Sequence, residues 1–270
     1  MRATVLVDNI GNDEAKGEWG LCIYIEYHEQ KILLDTGASG LFVENARKMQ
    51  IALEDVDHAV LSHAHYDHAD GMKAFFCNNT KANFYLRDGC KENCYGKKWI
   101  FRKYIGIPKG ILNEYKDRIV FASGDYKIAE GISLIPHKTP GREQIGRTEH
   151  MYVKDHGKWL PDRFAHEQSL VFDTAGGLVI FNSCSHGGAD NIIKEVAGTF
   201  PDQKVKAIVG GFHLFHKPED AVRRMAQNMK ETGIEQIYTG HCTGNKSYQI
   251  IKNELGAIAN QLRVGTVMEF

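Results

Sequence analysis

Apolar residues in the first third of the chain come in short runs rather than helical stripes. Ala3–Val7 is apolar and β-branched. Leu21–Tyr27 alternates in part and Lys31–Asp35 follows a polar turn, so the pair predicts a hairpin. Residues 36–40 (TGASG) break the strand. The period then changes: Leu41, Phe42, Ala46 and Met49 share one face and predict a helix over Leu41–Gln50. Asp57–Leu61 predicts a short strand that runs straight into Ser62-His63-Ala64-His65-Tyr66-Asp67-His68. From about 85 to 126 the pattern is irregular. That stretch holds Cys90, Cys94, Trp99 and Tyr104 together with Lys91, Lys97, Lys98, Arg102 and Lys103. No linker composition brackets it, so it reads as an insertion near the active site and not as a separate domain.

The last hundred residues alternate again. Ser169–Asp173 and Leu178–Phe181 predict a hairpin around Ala175-Gly176-Gly177. A helix is expected over Asn191–Val196 and a strand over Val205–Val209. Pro218 opens a helix to about Thr232, with Ala221, Val222, Met225 and Met229 on one face and Gly233 at its end. Gln236–Thr239 predicts a strand, Tyr248–Arg263 a helix and Val264–Phe270 a closing strand. No repeat of 20–50 residues is present. The expected class is α/β or α+β, one domain over residues 1–270.

Composition narrows the functions. Hydrophobic residues make up 43% of the 270, enough for an ordinary core. Lys plus Arg (33) and Asp plus Glu (34) leave a formal charge of −1, which argues against nucleic-acid binding. No apolar run nears the roughly 20 residues of a membrane span. The first residues read as a strand and not as a signal peptide, so the expected setting is the cytoplasm, with a small molecule as the partner. The six cysteines are expected as reduced thiols. Cys90-x3-Cys94 has half the spacing of a zinc site but lacks a second pair.

The thirteen histidines point to metal chemistry. His63-x-His65-x-Asp67-His68 sets four ligand-type side chains in six residues just past an apolar strand. Imidazole and carboxylate suit Zn²⁺, Mn²⁺ or Fe²⁺. In an extended turn His63 and His65 point the same way and share one ion, while Asp67 and His68 reach a second ion roughly 3.5–4 Å away. Distant residues must complete such shells. His186, His213 and His241 each follow an apolar strand and a small-residue turn. His186 and His241 are candidate ligands; His213 is a candidate ligand, substrate contact or core histidine. His137 and His166 flank further candidate loops.

HAHYDH is similar to the H-x-H-x-D-H signature of the metallo-β-lactamase superfamily. Asp35-Thr36-Gly37 resembles that superfamily's early Asp motif, whose carboxylate supports the metal loop, and Tyr238-Thr239-Gly240-His241 resembles its final His motif. The resemblance implies a four-layer αββα sandwich with a site for one or two metals at one edge of the sheets. SCSHGG (183–188), GGFHL (210–214) and GHCTG (240–244) resemble a metal-dependent hydrolase subgroup that includes dihydropterin-ribofuranosylaminobenzene phosphate synthase-like proteins. Two departures stand out. Thr139-Pro140-Gly141 is followed by Arg142 where the pattern has His, and the strand that normally delivers a bridging Asp leads to Cys184 and His186. His186 is therefore taken as the substitute ligand. Cys184 and Arg142 become candidate supporting or substrate residues, and Cys184 and Cys242 are more commonly plain buried thiols.

The expected activity is metal-dependent hydrolysis of a phosphoester or other small ester, with Zn most expected and Mn or Fe as alternatives. One ion at His63, His65 and His186, with or without a second at Asp67, His68 and His241, lowers the pKa of bound water toward about 7. His65 and Asp67 are the expected catalytic positions. Asp35 fixes the loop. A pterin-related synthase or transferase acting on a ribose-phosphate substrate is the alternative, and a di-iron redox protein a further one. Lys97, Lys98, Arg102 and Lys103, with Trp99, Phe101 and Tyr104, read either as a cationic, ring-stacking lid or as a solvated basic loop, the second reading being slightly preferred.

Overall fold

A computed structural model describes residues 1–270. The first half runs β1 (Arg2–Val7), β2 (Cys22–Tyr27), β3 (Gln30–Leu34), α1 (Leu41–Lys48), β4 (His58–Val60), α2 (Tyr66–Ala69), α3 (Met72–Asn78), β5 (Asn83–Arg87), β6 (Tyr95–Lys98) and β7 (Phe101–Tyr104). It continues through α4 (Ile111–Glu114), β8 (Ile119–Ala122), β9 (Tyr126–Ala129) and β10 (Ile132–Pro136). The second half runs α5 (Arg142–Thr148), β11 (Met151–Asp155), β12 (Lys158–Pro161), β13 (Gln168–Thr174), β14 (Gly177–Cys184), α6 (Ala189–Thr199) and β15 (Val205–Gly211). It ends with α7 (Glu219–Glu231), β16 (Gln236–Thr239), α8 (Asn245–Leu255), β17 (Ala259–Gln261) and β18 (Val267–Glu269).

Strands that are apolar at successive positions need cover on both faces, and the contacts show it. In β2, Ile23 and Ile25 face one core while Cys22 and Tyr24 face another. In β14, Val179 and Phe181 share a core with Ile23 and Ile25, whereas Leu178 and Ile180 face away from it. The two sheets are seven-stranded, ordered β18-β1-β2-β3-β4-β5-β8 and β17-β16-β15-β14-β13-β10-β9. They pack face to face through the shared core. Parallel pairs need helical crossovers. Here α1 and α3 link β3, β4 and β5, while α6, α7 and α8 link β14 to β17. Phe42, Phe75 and Phe76 seal the first outer layer, and Ile192, Val222 and Ile251 the second. The architecture is thus the four-layer αββα sandwich of the metallo-β-lactamase fold.

One glycine is indispensable to this arrangement. Gly210 in β15 has φ +146°, and a Cβ there would fall 1.3 Å from the carbonyl oxygen of Asn182 in the neighbouring strand. Only Gly allows that approach.

Several elements differ from expectation. The last helix begins at Asn245 and ends at Leu255, short of Arg263, because Gly256 (φ +63°) breaks it and Ala259–Gln261 pairs with β16 instead. The closing strand shrinks to Val267–Glu269, since Val264–Thr266 is held in a turn against Val5 and Ile10. The boundaries expected near 85 and 126 lie inside β5 and β9. The excursion between them does not stand alone: its β6–β7 hairpin joins β11 and β12 in a third sheet, ordered β12-β11-β6-β7. No helix is long and apolar enough to cross a membrane.

Candidate metal centre

Parallel sheets present functional groups at the carboxyl ends of their strands. Asp35 follows β3, the His63–His68 motif follows β4, His186 follows β14, His213 follows β15 and His241 follows β16. All five sites of departure lie at the same edge of the sandwich. Asp35, His213 and His241 have φ of +59°, +50° and +46°. Non-Gly residues in this left-handed region cost of order 1–3 kcal/mol each and collect where a side chain must be aimed.

The hydrogen bonds fix most of the imidazole tautomers. His68 Nδ1 donates to Asp35 Oδ2 at 2.8 Å. His241 Nδ1 donates to Asn9 Oδ1 at 3.1 Å, and that amide is oriented by its own Nδ2 bond to the His241 carbonyl. Ser62 Oγ donates to Asp35 Oδ2 and so accepts from His63 Nδ1 at 2.9 Å. His186 Nδ1 donates to Glu167 Oε1 at 3.1 Å. In each ring Nε2 is left as a bare lone pair.

Those lone pairs converge in two groups. The Nε2 atoms of His63, His65 and His186 are buried without a hydrogen-bond partner, and the three residues place ligand atoms within 4.8 Å of one another. Beside them His68 Nε2 faces His241 Nε2 at 3.2 Å, with Asp67 Oδ2 3.4 Å from the latter. Cys184 Sγ is 3.4 Å from His68 Nε2 and 3.1 Å from Cys242 Sγ. Buried polar atoms are almost always paired, and opposed lone pairs repel. A cation in each group removes both difficulties, and nitrogen, oxygen and sulfur donors suit zinc. The residues present therefore fit one or two divalent ions.

Electrostatics agree. Burial, reinforced by the surrounding imidazoles, holds His63 and His65 well below the usual histidine range. Burial also lowers His186, against the pull of Glu167. Burial works to raise Asp67, but His68 and His241 outweigh it and keep the carboxyl below the ordinary range. At neutral pH His63, His65 and His186 are thus neutral rings and Asp67 is a carboxylate.

Around the donors sits a supporting layer. Asp35, fully buried, accepts from Ser62 N at 2.7 Å as well as from Ser62 Oγ, His68 and the Ser183 hydroxyl. Glu167, 1% exposed, holds His186 through one oxygen, while its other oxygen lies 3.1 Å from His137 Nδ1. His137 Nε2 in turn bonds Ser169 Oγ at 2.8 Å. Phe164 stacks flat on His186, with centroids 4.4 Å apart. Asp8 receives the backbone N–H of His241 at 2.9 Å; burial pushes its carboxyl up to about 6 against that bond and others.

The remaining candidates fall as follows. His213 lies beside the donors: its N–H donates to Cys242 Sγ at 3.2 Å, and its Nε2 meets Glu149 at 3.2 Å. Arg142 opens α5 and donates to the Phe164 carbonyl at 3.0 Å, so it braces the segment under His186. Cys94, His65, Asp162 and His166 form a further group within 4.8 Å. Its His166 is already engaged at both nitrogens, by Ala64 N–H (3.1 Å) and by Asp162 Oδ2 (3.2 Å), so it offers no free lone pair. Cys90 turns its thiol to the His166 carbonyl.

The basic hairpin departs from the lid reading. None of Lys97, Lys98, Trp99, Phe101, Arg102, Lys103 and Tyr104 lines the pocket over the donors. Trp99 and Phe101 are 84% and 72% exposed at the hairpin tip, and Arg102 lies 4.5 Å over the Trp159 ring. Sequence reasoning missed Asp8, Asn9, Phe164 and Glu167. Their only signal is a polar pair closing an apolar strand (Asp8-Asn9) and an acid directly before one (Glu167).

A family model described as the metallo-β-lactamase superfamily matches residues 19–162. An uncharacterised protein of Methanocaldococcus jannaschii is 28% identical over 246 residues, covering 90% of this chain and 91% of its own. The 7,8-dihydropterin-6-methyl-4-(β-D-ribofuranosyl)-aminobenzene-5′-phosphate synthase of the same organism is 26% identical over 281 residues, covering 93% and 90%. The crystal structure of Tm1679, a metal-dependent hydrolase of the β-lactamase superfamily, superimposes with a TM-score of 0.83 at 28% identity, covering 100% of this chain and 99% of that one.

Proposed function

The chain belongs to the metallo-β-lactamase superfamily, and we propose that it is a metal-dependent hydrolase of a phosphoester or other small-molecule ester. The observation that carries this reading is the convergence of bare Nε2 atoms at the floor of an open pocket. That pocket, about 280 Å³, is bounded by His65, Asp67, Cys184, His186, His213 and Cys242 below and by apolar side chains above. His63, His65 and His186 would hold one divalent ion, and Asp67, His68 and His241 a second, with Cys184 placed to join either set. A divalent ion at such a site supplies Lewis acidity and makes water a nucleophile near neutral pH.

The chain's own residues do the rest. Asp35 and Glu167 hold His68 and His186 in the tautomer that leaves Nε2 free. Asp67, kept ionised by His68 and His241, is 11% exposed at its side chain and faces the pocket, where it can orient a water molecule. His213, paired with Glu149, stands at the pocket wall as a donor toward an anionic product.

Tm1679 supports the hydrolase reading by its description and close superposition. The synthase name of the 26% identical relative supports a second reading, transfer to an amine acceptor instead of water, on the same donors. One experiment separates them. Zinc-, manganese- and iron-loaded protein is assayed on phosphomonoesters, phosphodiesters, carboxylic esters and lactones, with and without an arylamine. The hydrolase reading expects turnover without the amine and loss of more than 100-fold in His65→Ala and Asp67→Ala. Turnover only with the amine favours the synthase. Full activity in both variants overturns the metal site.

A further inference from the structure

A contiguous apolar patch beside a cluster of polar donors is one mark of a ligand groove. The pocket is lined by two exposed rings, Trp19 and Phe215, together with half-buried Tyr66, Ile105 and Met151. Trp19 and Phe215 are 42% and 38% exposed although both are rigid rings beside a buried cluster. Their centroids are 5.5 Å apart at 64°. Trp19 also sits 5.0 Å from the His241 ring, and Phe215 5.4 Å from that of His213. The two rings come from different sheets: Trp19 from the loop before β2, Phe215 from the loop after β15. They meet edge to face in one corner beside His241 and His213. Ile105, just past β7, and Met151, at the start of β11, add an apolar wall from the third sheet. No Lys or Arg lines the pocket, so nothing in its upper half favours a charged group.

Resting on the hydrolase reading, we propose that the substrate carries an uncharged planar aromatic or heteroaromatic group, seated between the Trp19–Phe215 corner and the Ile105–Met151 wall. That seat sets the reacting bond over the donors. An apolar cavity of roughly 150 Å³ takes one benzene ring, so a pocket of about 280 Å³ has room for a substituted or bicyclic ring. Trp19 and Phe215 are then the residues that select the substrate's ring.

Binding of benzamide and cyclohexanecarboxamide, neutral amides that differ in planarity, tests this by calorimetry on the zinc-loaded protein. Benzamide is expected to bind roughly 2- to 12-fold more tightly, the range of one aromatic pairing. Trp19→Leu and Phe215→Leu, which keep apolar bulk at two partly exposed positions, are expected to bring the two amides to parity with zinc content unchanged. Equal binding to the parent protein, or a preference that survives in the double variant, overturns the proposal. The readout is independent of turnover. Ring preference without hydrolysis refutes the hydrolase reading alone, and hydrolysis without ring preference refutes this proposal alone.

Discussion

His68 and His241 face each other through Nε2 atoms 3.2 Å apart, a spacing that two ligands of one cation would share. Each ring is locked from behind, by Asp35 and by Asn9. His186 is locked by Glu167, whose burial would be costly without its two histidine neighbours. Such backing residues tune metal affinity through the ligand they hold. Glu167→Gln keeps the shape and removes the charge. It is expected to weaken zinc binding about 10- to 100-fold in competition with a chromogenic chelator, with an unchanged circular dichroism spectrum. Unchanged affinity would show that Glu167 does not act through His186.

At the level of elements, what the sequence makes legible follows from burial. Strands β2, β3, β14 and β15 are buried on both faces and read as apolar runs. The candidate donors lie just beyond such runs, so His63–His68, His186 and His241 are visible without coordinates. The β11–β12 hairpin is not, because its strands are partly exposed and the strand that β11 pairs with across the sheet, β6, lies some fifty residues away. Asp8, Asn9, Phe164 and Glu167 are hidden for a related reason. Each acts on a donor from another sheet or segment, and no local period marks such a contact. The overlong last helix illustrates the limit of periodicity: Ile258 and Leu262 continue the apolar spacing, but Gly256 turns the backbone and the residues between them, Ala259–Gln261, form a strand.

In the whole molecule, groups from both sheets meet at one edge, so protons, metal and folding are linked. His63, His65 and His186 are depressed below their unfolded value of about 6.5. Their contribution is fully present above that pH and is lost as pH falls, at up to about 1.4 kcal/mol per pH unit for each ring. His213, where burial opposes but Cys242 and Glu149 prevail, is raised to about 9 and His68 is raised too, so their contribution is lost on the alkaline side. Chelator-treated protein should therefore have its highest Tm near pH 7 and lose stability toward pH 5. Added zinc, which competes with protons for the same Nε2 atoms, should raise Tm more at pH 7.5 than at pH 5.5. A flat Tm between pH 5 and 7, or a zinc shift independent of pH, would contradict this linkage.

The most direct measurement is anomalous diffraction at the zinc absorption edge from crystals of the zinc-loaded protein. The account predicts a peak about 2.0–2.1 Å from Nε2 of His63, His65 and His186, with any second peak between His68, His241 and Asp67. Peaks only at surface residues, or none at these nitrogens at full zinc saturation, would contradict it.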